Sequence, residues 1–430
     1  MSVPASTRKW ATKCASTFHI VLSSIVFLFL DCLETVLCLL FRYLDDYFEG
    51  KPSCCYCENT REVEDDEVSE TLCGRRNVFR EIGFLQFARK WDECRSKKVD
   101  GLVTNRWSDC GCESCVSWMK NGDQKLHVVV NEPSHASIQD STENPTENVI
   151  FLHGFLSSSS IWKETAFKNQ SQKVKDSYRL FAVDLLGFGR SPKPRDTLYT
   201  LRDHLNMIEK SVICPFDLKS FHLVAHSMGC IIALAVAAKY AKFVKSVTLV
   251  APPVLLLSEA VASFTVLNRL AMRRLWPLLL FGSSVMSWYE HLGRCVCFLF
   301  CRNHRIWESI VKLLTGKRDL PFLITDLTKH THHSAWHCMH NVICGGAKYI
   351  DDYLKILIAN RVKVCVIQGE KDQVVPVECS FNIKMKVTDA EVNIIPNADH
   401  NTVIFGREKE FTERLEEIWA LSADINSVAE

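Results

Sequence analysis

The sequence predicts an α/β protein on a mostly parallel sheet with helices on both faces, and three observations carry that expectation. From residue 148 onward, short apolar runs alternate with helical stretches, as expected of strands covered on both sides. One of those runs passes through a tight turn with a serine at its apex straight into an apolar helix. A long stretch, residues 253–357, then intervenes before the alternation resumes, where such a sheet accepts a helical cap insertion.

Taken in order, the expected strands lie at 125–130, 149–152, 178–183, 221–225, 244–250, 362–368 and 391–395. A Pro/Ser/Asn/Glu-rich loop at 131–147 separates the first two. The run 149–152 ends in His153-Gly154-Phe155, and the next ends in Asp184 and the turn Gly187-Phe188-Gly189. The organisation that follows is a targeting segment (1–53), a Cys/Trp-containing region with linker (54–124), a core in two parts (125–252 and 358–430) and the cap (253–357). No internal repeat is present.

Composition narrows the function. The 430 residues carry 51 Lys+Arg against 50 Asp+Glu, a balance that supplies no field for holding a polyanion and so excludes a general nucleic-acid binder. Hydrophobic residues at 47% exclude a mostly disordered chain.

At the amino terminus, residues 17–30 are apolar and uncharged, behind Arg8, Lys9 and Lys13. That is the layout of a secretory signal. Fourteen residues of helix span only about 21 Å, short of a hydrocarbon core of ~30 Å. Asp31 and Glu34 then interrupt, so a cleaved signal or an imperfect anchor fits better than a clean span. The basic flank precedes the run and the acidic residues Asp45, Asp46 and Glu49 follow it, which orients the remainder outward. Cys54, Cys55 and Cys57, just beyond, are candidates for lipidation. Cys110, Cys112 and Cys115, and Cys295, Cys297 and Cys301, form two more knots among 20 cysteines. They read as structural thiols or disulfides. CxCxxC supplies three ligands without a matching partner, so no metal and no cofactor is expected.

The run 221–225 leads into Ala225-His226-Ser227-Met228-Gly229 and an apolar helix, which makes Ser227 the candidate nucleophile. The small residues two positions away on each side fit the close approach of strand and helix. Serine is a weak nucleophile and needs a base, which needs an orienting carboxylate. Asp372, after the run 362–368, and His400, after 391–395, stand where those groups are wanted, at the carboxyl ends of strands. Glu370 and Asp399 compete for the acid position, Asp399 being badly placed beside the base it would serve. His226 reads as a packing residue. The oxyanion donors expected are the backbone N–H groups of Met228 and Phe155, and His153 is a candidate for a direct catalytic role beneath them.

The segments FLHGFLSSSSIWKET, RLFAVDLLGFGRSPKP, LYTLRDHL, FHLVAHSMG and the upstream RWSDCGCESCVSW together resemble the plant BODYGUARD family of α/β hydrolases, over essentially the whole chain. The resemblance implies the α/β-hydrolase fold and a lysophospholipase-type activity. It also implies export to the epidermal cell wall and a role in forming the cuticle; the amino-terminal segment, read as an anchor, gives the outer face of the plasma membrane as the alternative place.

The cap contains Leu255-Leu256-Leu257 and an apolar run at 275–281 that suit either an acyl pocket or ordinary packing, and its excess of Lys and Arg suits a lipid head or a solvated face. His330, His332, His333, His337 and His340 cluster without an HExxH, and read as structural or pocket-lining. The leading function is a serine esterase acting on a lipid-like or hydroxy-acyl ester, met at a membrane or cell-wall surface. An acyltransferase with the same three residues, and a non-catalytic receptor on the same fold, are the alternatives.

Overall fold

The computed structural model describes residues 5–50, 68–72, 106–119, 125–134, 147–255, 262–271 and 275–427. The lipidation candidates Cys54, Cys55 and Cys57, and most of the 58–76 linker, lie outside the described residues.

Seven strands form one sheet: β1 (Val128–Asn131), β2 (Glu147–Leu152), β3 (Tyr178–Val183), β4 (Phe221–His226), β5 (Val244–Val250), β6 (Lys363–Gly369) and β7 (Glu391–Ile395). Their order is β1-β3-β2-β4-β5-β6-β7. β1 runs antiparallel to β3 and every other neighbouring pair is parallel, so the expected fold class is observed. The apolar runs are continuous because helices cover both faces: all six residues of β4 are buried. His222 is tolerated within that strand because its Nδ1 lies 2.7 Å from the Ser246 hydroxyl on β5.

The chain leaves β2 toward β3 on one side and returns to β4 on the other. The loops after β2 and β4 therefore part at the switch point of the sheet, where such sheets place their ligands. The helix Met228–Lys239 is buried from Met228 through Ala237, which explains why it is apolar on every side. The carboxy-terminal helix Glu408–Ser427 presents Phe411, Leu415, Ile418 and Trp419 to the core at helical spacing, with Trp419 edge-on to Phe151. Between β5 and β6 the insertion is helical.

A second compact unit gathers the helix Ala5–Glu49 with residues 267–296. Here the structure departs from the sequence reading: Asp31 and Glu34 do not interrupt the apolar helix, which runs on unbroken to Glu49. The physical reason is that three of its acids, Asp31, Glu34 and Asp45, are buried and paired. Asp31 accepts from the Tyr289 hydroxyl at 2.8 Å. Glu34 accepts from the backbone N–H groups of His291 and Leu292, both at 2.9 Å, and lies 2.8 Å from His291 Nδ1. Asp45 meets Arg294 in two parallel bonds of 2.6 and 2.7 Å. On the other side Phe18, Ile25, Phe29 and Val36 are exposed. With Asp31, Glu34 and Asp45 inside and these apolar residues outside, this side of the helix inverts the pattern of a water-facing one. By length and composition the segment Ser16–Glu49 is able to cross a bilayer.

Removing one partner of a buried ion pair strands the other charge. Asp45→Ala is therefore expected to destabilise this unit by about 3–5 kcal/mol, whereas Asp45→Leu combined with Arg294→Met recovers most of that loss. Thermal unfolding of the purified full-length protein checks this, and equal losses in both variants would refute it.

Candidate active site

Ser227 sits between β4 and its helix with φ 52° and ψ −121°, a conformation that lifts its side chain out of both elements. Its N–H continues the β4–β5 ladder by donating to the Val250 carbonyl at 2.9 Å. The turn is possible only where strand and helix cross closely. A Cβ on Gly229 would stand 2.6 Å from the carbonyl oxygen of His153 and 2.8 Å from that of Leu152.

The structure brings Ser227, His400 and Asp372 into one hydrogen-bonded chain. His400 Nε2 lies 3.0 Å from the Ser227 hydroxyl, and His400 Nδ1 lies 2.7 Å from Asp372 Oδ2. The carboxylate is itself fixed by other donors. Its Oδ1 accepts from the N–H groups of Val374 and Val375 at 2.8 Å each, and its Oδ2 from the Gln368 amide at 3.1 Å. Gln368, at the end of β6, is in turn held by the Ser380 hydroxyl at 3.0 Å.

The loops bearing Asp372 and His400 are stitched together as well. Glu370 N–H donates to the Ile395 carbonyl at 3.0 Å, and Lys371 N–H to that of Ala398 at 2.8 Å. The two competitors for the acid position hold these loops. The Glu370 carboxylate accepts from Asn397 N–H at 3.0 Å. Asp399 turns away from the ring and accepts from the N–H groups of Asn401 and Thr402 and from the Thr402 hydroxyl. Those bonds, first among them the one from Thr402 N–H, hold the Asp399 carboxyl below its usual range.

His226 has a use that its sequence reading as packing missed. Burial pushes its ring down to about 3, so it is neutral, and its Nε2–H donates to the His400 carbonyl at 3.1 Å. Neighbourhood to the nucleophile was the only sequence signal for this. His153 is fully buried, and burial lowers its pKa too. Leu185 N–H donates to its Nε2 at 2.9 Å, which leaves the proton on Nδ1, 2.7 Å from the Gly154 carbonyl. Both ring nitrogens are thus engaged by backbone, and the ring staples the loop after β2 to the loop after β3.

Of the expected oxyanion donors, Met228 opens the helix, where N–H groups lack intrahelical partners. Phe155 follows Gly154, whose backbone presses on Ser227 so closely that a Cβ there would lie 3.1 Å from Ser227 Cβ.

The histidine cluster is a packed one. His333 and His337 lie with ring centroids 4.2 Å apart, and His332 stacks on Trp336. Burial holds His337 down to about 3 and His333 well below its usual value. His330 instead faces Cys297 and Cys301 at 3.5 and 3.7 Å. Cys110, Cys112 and Cys115 converge on His304, a residue their spacing gave no reason to expect.

Comparison with known proteins agrees with this architecture. The alpha/beta hydrolase fold family matches residues 147–286. The chain is a carboxylic-ester hydrolase of that fold. It is 53% identical to "Probable lysophospholipase BODYGUARD 4" of Arabidopsis thaliana, over 95% of this chain and 98% of the relative. It is 49% identical to "Probable lysophospholipase BODYGUARD 5" of the same plant, over 97% of this chain and 98% of the relative. The chain belongs to the BODYGUARD family.

Gly229→Ala tests the close crossing. It is expected to lower stability by about 1–3 kcal/mol through overpacking against two carbonyls. Thermal unfolding reads the effect, and an unchanged melting temperature would mean that the crossing has slack.

Proposed function

We propose that this protein is a serine hydrolase of lipid-like acyl esters, of lysophospholipase type, working through an acyl-enzyme on Ser227. The observation that carries the reading is the continuous chain from the Ser227 hydroxyl through His400 to a buried, multiply bonded Asp372. His400 Nε2 takes the hydroxyl proton as Ser227 Oγ adds to the ester carbonyl. Asp372 keeps the other ring proton on Nδ1 and stabilises the imidazolium that forms. The N–H groups of Met228 and Phe155 receive the charge that develops on the carbonyl oxygen. Collapse expels the alcohol, protonated by His400, and leaves the acyl group on Ser227. Water, deprotonated by the same ring, then releases the fatty acid. His153 and His226 are positioning residues for the oxyanion loop and the His400 loop.

The names of the relatives support a lysophospholipid as the ester, and the cuticle role implied by the family resemblance adds hydroxy-acyl esters to the substrates worth assaying. The site lies on a chain whose retained amino-terminal helix anchors it to a membrane, with the hydrolase outside the cytosol. Support for retention comes from the three paired acids, whose partners Tyr289, His291 and Arg294 would be stranded by cleavage.

Four measurements test these readings. Ser227→Ala should lose all covalent labelling by an active-site phosphonate while remaining folded; labelling that persists would move the nucleophile elsewhere. On one short-chain ester at neutral pH, Asp372→Asn is expected to lose about 10⁴ in turnover, because asparagine favours the wrong tautomer. Asp399→Asn is expected to lose about tenfold or less (~1.4 kcal/mol). The reverse ranking would reassign the acid. Finally, peptide mapping of the mature protein should recover residues from within the helix Ala5–Glu49, and a reporter fused after Glu430 should lie outside the cytosol; a mature chain lacking the helix, or a cytosolic reporter, contradicts the anchor.

A further inference from the structure

The segment RWSDCGCESCVSW contributes nothing to the esterase chemistry derived above, yet its three cysteines are not scattered. Cys110, Cys112 and Cys115 converge on His304, the first residue of the helix His304–Thr315, with one ligand atom from each of the four lying within 4.8 Å of the others. His304 Nε2 is 3.4 Å from Cys112 Sγ and 3.6 Å from Cys115 Sγ.

Those separations have a direct reading. A tetrahedral zinc ion with Zn–S about 2.3 Å and Zn–N about 2.05 Å sets its sulfur and nitrogen ligands about 3.6 Å apart. A hydrogen bond between imidazole and thiol accounts for one such contact. The single lone pair of one ring nitrogen does not serve two thiols equally well at nearly equal range.

The surroundings of the ligands fit the same ion. His304 Nδ1 lies 2.9 Å from Glu308 Oε1, one helical turn on. A carboxylate behind the ring fixes a proton on Nδ1 and turns the Nε2 lone pair toward the sulfurs, the usual support of a zinc-bound histidine. On the cysteine side, Cys112 N–H donates to Cys110 Sγ at 3.4 Å, a bond that favours a thiolate.

We propose that Cys110, Cys112, Cys115 and His304 bind one Zn²⁺ as a closed Cys₃His site. Four protein ligands leave no open position, so the ion is structural and takes no part in ester cleavage. It cross-links the segment 106–119 to the helix His304–Thr315, far apart in sequence. The fourth ligand comes from so distant a part of the chain that CxCxxC alone reads as three ligands short of a partner. The neighbouring trio Cys297, Cys301 and His330 is a poorer candidate. It offers three ligands, and His330 Nδ1 has no hydrogen-bond partner among the described residues.

The full chain, purified without chelator, is the material for the test. Zinc content by plasma mass spectrometry should fall by one equivalent in Cys112→Ser, with phosphonate labelling of Ser227 reporting that the hydrolase remains folded. X-ray absorption of the wild type should give sulfur neighbours at about 2.3 Å with a nitrogen in the same shell. Glu308→Gln retains all four ligands and avoids the risk that a ligand variant fails to fold. It is expected to weaken zinc binding by about 10–100-fold in competition with a chromophoric chelator. A disulfide between any two of Cys110, Cys112 and Cys115 in the alkylated, unreduced protein would overturn the proposal. So would a wild type that carries no more zinc than Cys112→Ser, or Glu308→Gln binding zinc as tightly as the wild type.

Discussion

Ser227 occupies a backbone conformation, φ 52° and ψ −121°, that an L-residue keeps only where its neighbours hold it, at a cost on the order of 1–3 kcal/mol. The holding is done by the sheet. Ser227 N–H is bonded into the β4–β5 ladder, and the helix that follows is pressed against the carbonyls of Leu152 and His153 through Gly229. Because β4 and the helix from Met228 through Ala237 are buried, the turn between them cannot relax without exposing apolar surface. The hydroxyl is fixed by packing that lies entirely outside the chemistry.

The partners of that hydroxyl depend on the same sheet by a different route. β6 and β7 are parallel neighbours, and their ladder continues past the strand ends through the bonds of Glu370 and Lys371 to the opposite loop. Asp372 and His400 therefore share one register, and His226 ties the His400 loop back to β4. Each of the charged residues that competed for a catalytic role has a structural one. Glu370 and Asp399 shape the loops that Asp372 and His400 use.

Two devices in this chain go beyond the shared fold. In the unit formed by the amino-terminal helix and residues 267–296, buried acids are matched one by one to Tyr289, His291 and Arg294, which allows a long apolar helix to carry charge. In the sheet-bearing unit, sulfur and imidazole gather at Cys110, Cys112, Cys115 and His304. Both devices use polar groups in pairs or sets, and in both the second half of the set is remote in sequence. Such polar sets recognise only one arrangement of the chain, whereas apolar contacts tolerate many.

The sequence by itself determined the strand positions, the parallel class, the strand-turn-helix at Ser227 and the carboxyl-end placement of Asp372 and His400, because each is written in local patterns: a buried run, small residues two positions either side of a serine, a loop after a strand. It also carried the family resemblance. What only the tertiary structure decided is which polar groups meet. Nothing near Asp31, Glu34 or Asp45 announces a partner some 250 residues away, so the helix read as interrupted when it is continuous. Nothing near CxCxxC announces His304, and nothing near His153 says that both its nitrogens are claimed by backbone. Strand propensity and apolar periodicity act over a few residues, while the desolvation of a buried charge or thiol is settled only by whatever the completed fold brings beside it.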